Sequence, residues 1–211
     1  MRSRWKKAGA IALAAAVLVT VGTALFFNGY GPLAWADRRV RTDPGEAKGW
    51  IDNALHTTMD AVSPPLAYVG ADFEVEREKD RWDGEPSMVS DVTEIVTVRT
   101  VVSKAKLPVL MDQVTKAWMV LGSRVIDHSD PSLDSRSLRG VGDAGGQVFL
   151  TFYADPAQGP SSYTVMFRAE AGGVLYQPAH EYQPLSPLPR TPRDAKGYVV
   201  NNPVDDPYWS H

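Results

Sequence analysis

The fold of this chain is decided by one β-branched stretch, VTEIVTVRTVV at residues 92–102. Nine of these eleven residues are valine, isoleucine or threonine, whose branching at Cβ favours extended backbone. We therefore predict a long strand here, and we expect it to be the central strand of a sheet.

Two amphipathic helices are predicted around this strand. The first begins at Asp43–Glu46, where the aspartate can cap free backbone N–H groups and a proline takes the first helical position. It spans residues 44–63, and its apolar stripe contains Ile51, Leu55, Met59 and Val62. The second opens at residues 106–108 and ends near Gly122, and its buried face contains Leu110, Val114, Ala117, Trp118 and Leu121.

Further strands are predicted from alternating or β-branched segments. Phe73 and Val75 alternate with glutamates, and a short strand is expected at residues 124–127. Residues 138–141 and 147–154 form a hairpin across a glycine-rich loop, and residues 162–169 and 174–176 follow. The order predicts an α+β two-layer sandwich, with two helices on one face of a mostly antiparallel sheet. The other face is where we expect a ligand.

The N-terminus contains a run of twenty residues without an ionisable side chain, Ala8–Phe27. A helix of this length can cross a hydrocarbon core of about 30 Å. Four basic residues precede the run, and by the positive-inside rule they stay cytoplasmic and send the rest of the chain outward. These are Arg2, Arg4, Lys6 and Lys7. We therefore expect a single-pass plasma-membrane protein with its C-terminal domain outside.

A cleaved signal peptide is the alternative. Ala34-Trp35-Ala36 is a small-x-small pattern of the kind that signal peptidase cuts, and cleavage after Ala36 would release a secreted protein. The apolar run is longer than a usual signal core, which favours the anchor.

The sequence divides the chain into three regions. Residues 1–36 are the cytoplasmic basic start and transmembrane or signal segment, 37–176 an extracytoplasmic α+β domain, and 177–211 an extended proline-rich tail.

Composition excludes several classes of function. From Asp37 onward the chain has 25 acidic residues against 18 basic ones, so nucleic acid is not an expected partner. The chain has no cysteine, which excludes disulfides, thiol catalysis and cysteine-ligated metals. Neither a nucleophile elbow nor an H-E-x-x-H motif occurs. We therefore expect no cofactor, no metal and no catalytic residue.

Two motifs have simpler structural explanations. Residues 140–145 match G-x-G-x-x-G, but a strand and not a helix is predicted after them, so we interpret them as a hairpin turn. Asp127–Asp130 groups two carboxylates with an imidazole, and a polar turn before Pro131 explains it better than a metal site. His56 is interpreted as a residue at the edge of the apolar stripe, and Asp52 as an ordinary solvated position.

Three aromatic residues are candidates for a partner surface. Trp82 lies in a charged segment before a predicted turn, and Tyr208 and Trp209 end the tail. The terminal pair can instead pack back on the domain, and Trp82 can fold onto the sheet. The aromatics alone do not decide between these alternatives.

The layout resembles that of many uncharacterised exported or single-pass envelope proteins of actinomycete type. The shared features are a basic start, an alanine- and valine-rich span and a cysteine-free outer domain, with residues 101–122 similar to the second helix of such domains. This resemblance implies no activity. Our first hypothesis is a binding domain for an envelope protein or a wall component. The alternatives are an envelope hydrolase with carboxylates assembled only in the fold, and an accessory subunit of a membrane complex.

Overall fold

A computed structural model describes residues 42–79, 84–130, 136–142, 145–155, 157, 159, 161–183, 186 and 188–211. Two helices, α1 at Pro44–Ala61 and α2 at Leu107–Val120, pack on a sheet. Its seven strands are β1 Tyr68–Lys79, β2 Pro86–Val98, β3 Val102–Ser103, β4 Arg124–Asp127, β5 Arg136–Val141, β6 Gln147–Ala154 and β7 Ser162–Leu175. The predicted α+β class, with two helices and a mostly antiparallel sheet, is confirmed.

The membrane segment predicted at Ala8–Phe27 lies outside the described residues. Among the helices that the structure describes, none is long and apolar enough to span a bilayer.

The central strand is β7, and the prediction that residues 92–102 fill this place is wrong. The strand order is β1-β2-β7-β6-β5-β4, and β3 also pairs with β7. The β-branched stretch is interrupted at residues 99–101, where the N–H of Arg99 donates to Ala67 O at 2.7 Å and that of Val101 to Val204 O at 3.0 Å. These bonds to other segments divide the stretch into β2 and β3, and both lie on the same side of β7.

Both helices begin and end near the predicted residues. The Asp43 carboxylate accepts a hydrogen bond from Gly45 N at 2.8 Å at the start of α1. Gly122, with a φ of 75°, follows the end of α2 in the left-handed region that glycine enters without steric cost. The capping signals therefore positioned both helices correctly along the chain.

The core lies between the helices and one face of the sheet. Trp118 of α2 is fully buried, and its Nε1 donates to Thr58 Oγ1 of α1 at 2.8 Å. Gly140 lies directly beneath it, and a Cβ at this position would come within 2.9 Å of the indole ring. Because residue 140 has no side chain, the Trp118 indole can occupy the space above it.

The tail lies against the domain. Thr191 N donates to Ala71 O at 3.3 Å, which places the tail beside the edge strand β1. Trp209 has no exposed surface, and its Nε1 donates to Pro64 O at 2.9 Å. Apart from a three-residue 3₁₀ helix, Ala179–Glu181, the described tail forms no helix or long strand, as its prolines predict.

Candidate binding face and a buried charge cluster

One face of the sheet carries no described helix, and we call it the open face. Residues paired directly across antiparallel strands share a face, so the register arranges side chains there in rows. One row contains Ile95, Arg168, Phe149 and Arg139. The next contains Glu74, Thr93, Glu170 and Gln147. The alternation of buried and exposed residues along β2, β6 and β7 produces this two-sided sheet.

An acidic groove of about 650 Å³ occupies the β1–β2 side of the open face. Five carboxylates and one guanidinium line it. The acids are Glu74, Glu76, Glu78, Asp91 and Glu170. Glu170 pairs with Arg168 at 3.3 Å, whereas the other four have no ion pair within the described part of the chain. The groove therefore has a surplus of negative charge that favours a cationic occupant.

An arginine–phenylalanine stack lies next to the groove. The guanidinium carbon of Arg168 is 4.2 Å from the ring centroid of Phe149, and that of Arg139 is 5.9 Å away. The Nε atoms of both arginines are buried without a hydrogen-bond partner. Tyr153, farther along β6, is 51% exposed. The open face is therefore charged and concave, in contrast to a flat apolar surface.

A buried charge cluster lies on the opposite, helix-covered face. Lys48 of α1 forms ion pairs with Asp52, one turn along the same helix, and with Glu94 of β2 at 3.4 Å. Lys48 and Glu94 are each 1% exposed. One oxygen of Asp52 has no hydrogen-bond partner, and Oε2 of Glu94 has the ion pair with Lys48 but no hydrogen bond. A buried lysine with two carboxylates holds all three side chains in place, because an unpaired charge there would be costly.

The space beside this cluster limits its chemistry. The cavity that touches both carboxylates and His56 measures about 10 Å³, which is at the lower limit for one water molecule. A larger cavity of about 500 Å³ is lined by Lys48, Phe73 and Tyr182. Burial raises the pKa of Tyr182 above its ordinary value of 10.0. The two acids thus have no room for a substrate in the cavity beside them, and Lys48 is the member of the cluster that lines the larger cavity.

The prediction that Asp52 is a solvated position is wrong. The side chain of Asp52 is only 13% exposed because Lys48 holds it against the sheet. The burial of Glu94 was not predicted, although the sequence pattern indicates it. It alternates with Val92, Val96 and Val98, which all point into the core, and therefore has the phase of a buried residue.

Of the candidate residues named from the sequence, Tyr208 and Trp209 lie within the described part of the chain. Ala34, Ala36 and Trp82 lie outside the described residues. Trp209 is buried, so it packs back on the domain and is not available to a partner. Tyr208 is 37% exposed, and the Lys106 ammonium lies 3.8 Å from its ring centroid.

The two motifs adopt the predicted structures. The glycine-rich residues connect β5 to β6 as a hairpin, with Gly142 N donating to Gly146 O at 2.9 Å. The Asp127 carboxylate accepts from Ser129 N at 2.8 Å, which is a polar turn. Within the described ranges, no group of three or more histidine or acidic residues is arranged to hold a metal ion.

Comparisons with protein-family models, with curated proteins and with solved structures find no match for this chain.

Proposed function

We propose that this protein is a non-enzymatic binding domain of the cell envelope whose open face contacts another protein. The N-terminal segment holds the domain at the outer side of the membrane, or releases it after cleavage at Ala36. An accessory subunit of a membrane complex is a special case of this function, in which the partner is itself a membrane protein.

The observation that carries the proposal is the arginine–phenylalanine stack on the open face. Arginine and aromatic side chains are enriched at protein interfaces and dominate their binding energy. Arg139 and Arg168 are both partly exposed beside Phe149, and a guanidinium fork matches the carboxylate groups of a partner. The acidic groove beside it adds a region of opposite charge, which favours one orientation of the partner.

Site-specific photo-crosslinking in intact cells tests the proposal. A photoreactive amino acid replaces Tyr153, which is 51% exposed on the open face, in the full-length chain. We expect a discrete crosslinked product that disappears when Arg139→Glu is added, because the substitution reverses the charge that the partner contacts.

Met119 provides the matched control, since it is 64% exposed at the end of α2 on the helix side. A photoreactive residue there should give no discrete product. Equal products from both positions, or a Tyr153 product unchanged by Arg139→Glu, would contradict binding through the open face.

An envelope hydrolase is the second candidate, because Asp52 and Glu94 are two carboxylates that approach the same buried lysine. It is less well supported, since the adjoining cavity of about 10 Å³ has no space for a polymer. Turnover of isolated cell-wall material by the purified chain, abolished by Glu94→Gln in a folded variant, would favour it over the binding domain.

A further inference from the structure

We propose that Lys48 and Asp52 condense into an intramolecular amide bond, and that Glu94 carries the protons that this step requires. These three side chains form the buried charge cluster between α1 and β2. The amide joins the side chains of two residues that are one turn apart on α1. It lies on the helix-covered side of the sheet, so it is independent of the proposed binding through the open face.

The amine and the carboxyl group are held together by the fold. Lys48 Nζ donates a hydrogen bond to Asp52 Oδ1, and Glu94 Oε2 lies 3.4 Å from the same nitrogen. Residues four apart on a helix share a face, so α1 itself presents the amine to the carboxyl group. Reactants held in a favourable orientation react as if each were present at about 10⁵–10⁸ M. The geometry therefore favours a bond that two free side chains in water do not form.

The surroundings of the cluster disfavour separate charges. Lys48 and Glu94 are each 1% exposed, and the Asp52 side chain is 13% exposed. The ring centroid of Phe73 lies 5.3 Å from Lys48 Nζ, which adds an apolar wall. An amide is neutral, so its formation replaces a buried ammonium and a buried carboxylate, both of which are costly to keep out of water. Burial thus favours the amide over the ion pair.

The condensation balances without an added reagent. Glu94 accepts one proton from the Lys48 ammonium and passes it to an Asp52 oxygen, which leaves a neutral amine beside a neutral carboxyl group. The lone pair of the amine attacks Cγ of Asp52. A second proton then moves from the nitrogen through Glu94 to the departing hydroxyl group, so that one water molecule leaves and Glu94 is again a carboxylate.

The small cavity beside the acids suits this step, although it excludes an external substrate. Asp52 and Glu94 both line it, and its volume of about 10 Å³ is at the lower limit for one water molecule. The only product to be released is one water molecule. The new amide N–H of Lys48 can donate to the Glu94 carboxylate, which replaces the lost ion pair.

A second lysine–aspartate pair provides a control within the same chain. Lys116 Nζ lies 2.6 Å from Asp112 Oδ2 at the same four-residue spacing, but the two side chains are 73% and 59% exposed. Within the described part of the chain, no second carboxylate pairs with Lys116. Water stabilises both charges, and no proton acceptor corresponds to Glu94. We therefore expect this pair to remain an ion pair.

Tryptic peptide mapping of the purified, denatured full-length chain tests the bond. Trypsin cuts after a free lysine, so an amide at Lys48 prevents cleavage before Gly49. We expect the uncut peptide of residues 42–77 at a mass lower by one water molecule, about 18 Da, together with normal cleavage after Lys116. Loss of water by Asp52 alone, as a cyclic imide, leaves Lys48 cleavable and is thereby distinguished.

Two variants separate the role of Glu94 from a general effect of charge. Glu94→Gln should slow bond formation by about 10²–10⁴-fold, because a carboxamide does not accept the proton, and trypsin should then cut after Lys48. Asp112→Asn also removes one carboxylate, but at the exposed pair, and should leave the lighter 42–77 peptide in place. Circular dichroism confirms folding of both variants.

The parent chain decides the existence of the bond even if Glu94→Gln does not fold. Cleavage after Lys48 in the parent chain, with peptides of unmodified mass, would overturn the bond. An undiminished yield of the lighter peptide in folded Glu94→Gln would overturn the role of Glu94 in proton transfer.

Discussion

Lys48 and Lys116 make the same kind of contact in opposite environments. Each pairs with an aspartate one helical turn away, but the Lys48 side chain is 2% exposed and that of Lys116 73%. Burial changes the energetic role of the pair. Removing the exposed lysine changes the free energy of unfolding little, whereas removing the buried lysine leaves two carboxylates without a counter-charge.

Lys48→Met is therefore expected to lower the free energy of unfolding by about 3–5 kcal/mol. Lys116→Met, the matched control, should cost less than about 1 kcal/mol. Urea unfolding of both variants measures the difference. Adding Glu94→Leu to Lys48→Met should recover part of the loss, because one of the uncompensated charges is then gone. Equal losses for the two lysines would refute the role of the cluster.

Tyr68 is a residue whose titration makes the stability of the protein depend on pH. Burial and the negative charge of Asp60 raise the pKa of Tyr68 from 10.0 to about 12. Below pH 10 the phenol keeps its proton in both states. Between pH 10 and 12 only the unfolded chain loses it, so stability falls as pH rises.

Across that pH range, Tyr68 lowers the free energy of unfolding by at most about 2–3 kcal/mol. Tyr68→Phe should therefore show a shallower decline of the free energy of unfolding between pH 10 and 12 than the parent protein. Chemical denaturation at a series of pH values measures both slopes. Parallel declines would show that Tyr68 titrates alike in the folded and unfolded states.

At the scale of elements, the tail is attached through backbone bonds that Trp209 organises. Ser103 N donates to Trp209 O at 2.8 Å, and Val101 N donates to Val204 O at 3.0 Å. Gly70 permits the other contact of the tail, because a Cβ there would lie 2.5 Å from Pro189 O. The tail thus satisfies backbone groups of the domain where β2 and β3 separate.

Trp209→Ala is expected to cost about 3–5 kcal/mol, since a fully buried indole is lost. Hydrogen exchange should accelerate at the amides of Val101 and Ser103, while amides between β6 and β7 keep their protection if the tail opens locally. Tyr208→Ala, at a 37% exposed position, is the control and should leave these amides protected. Unchanged exchange in Trp209→Ala would show that the tail does not hold this edge.

The elements themselves were largely predictable from local signals. Capping residues, glycine positions and alternation identified both helices and the hairpin between β5 and β6. The position of each strand within the sheet was not predictable in the same way. The interruption of the stretch at residues 99–101 depends on hydrogen bonds to Ala67 and Val204, which are distant in sequence, so no local pattern records it.

At the scale of the whole molecule, the open face was predictable and its chemistry only partly so. An α+β layout with both helices on one side implies a free face. The acidic groove and the stack, however, depend on the register between β1, β2, β5, β6 and β7, which brings together residues from five separate segments. Alternation along β2 is enough to predict that Glu94 is buried. Its partner Lys48 lies on α1, and only the tertiary packing of α1 against the sheet brings the two residues together.

Thiol labelling of intact cells tests the central claim most directly, namely that the domain lies outside the membrane with its open face in contact with a partner. Tyr153→Cys and Met119→Cys are made separately in the cysteine-free chain and exposed to a membrane-impermeant maleimide. We predict that both react in intact cells, and that Tyr153→Cys reacts more slowly there than in the purified protein, whereas Met119→Cys does not. Labelling of either position only after lysis, or equal rates for Tyr153→Cys in cells and in purified protein, would contradict the account.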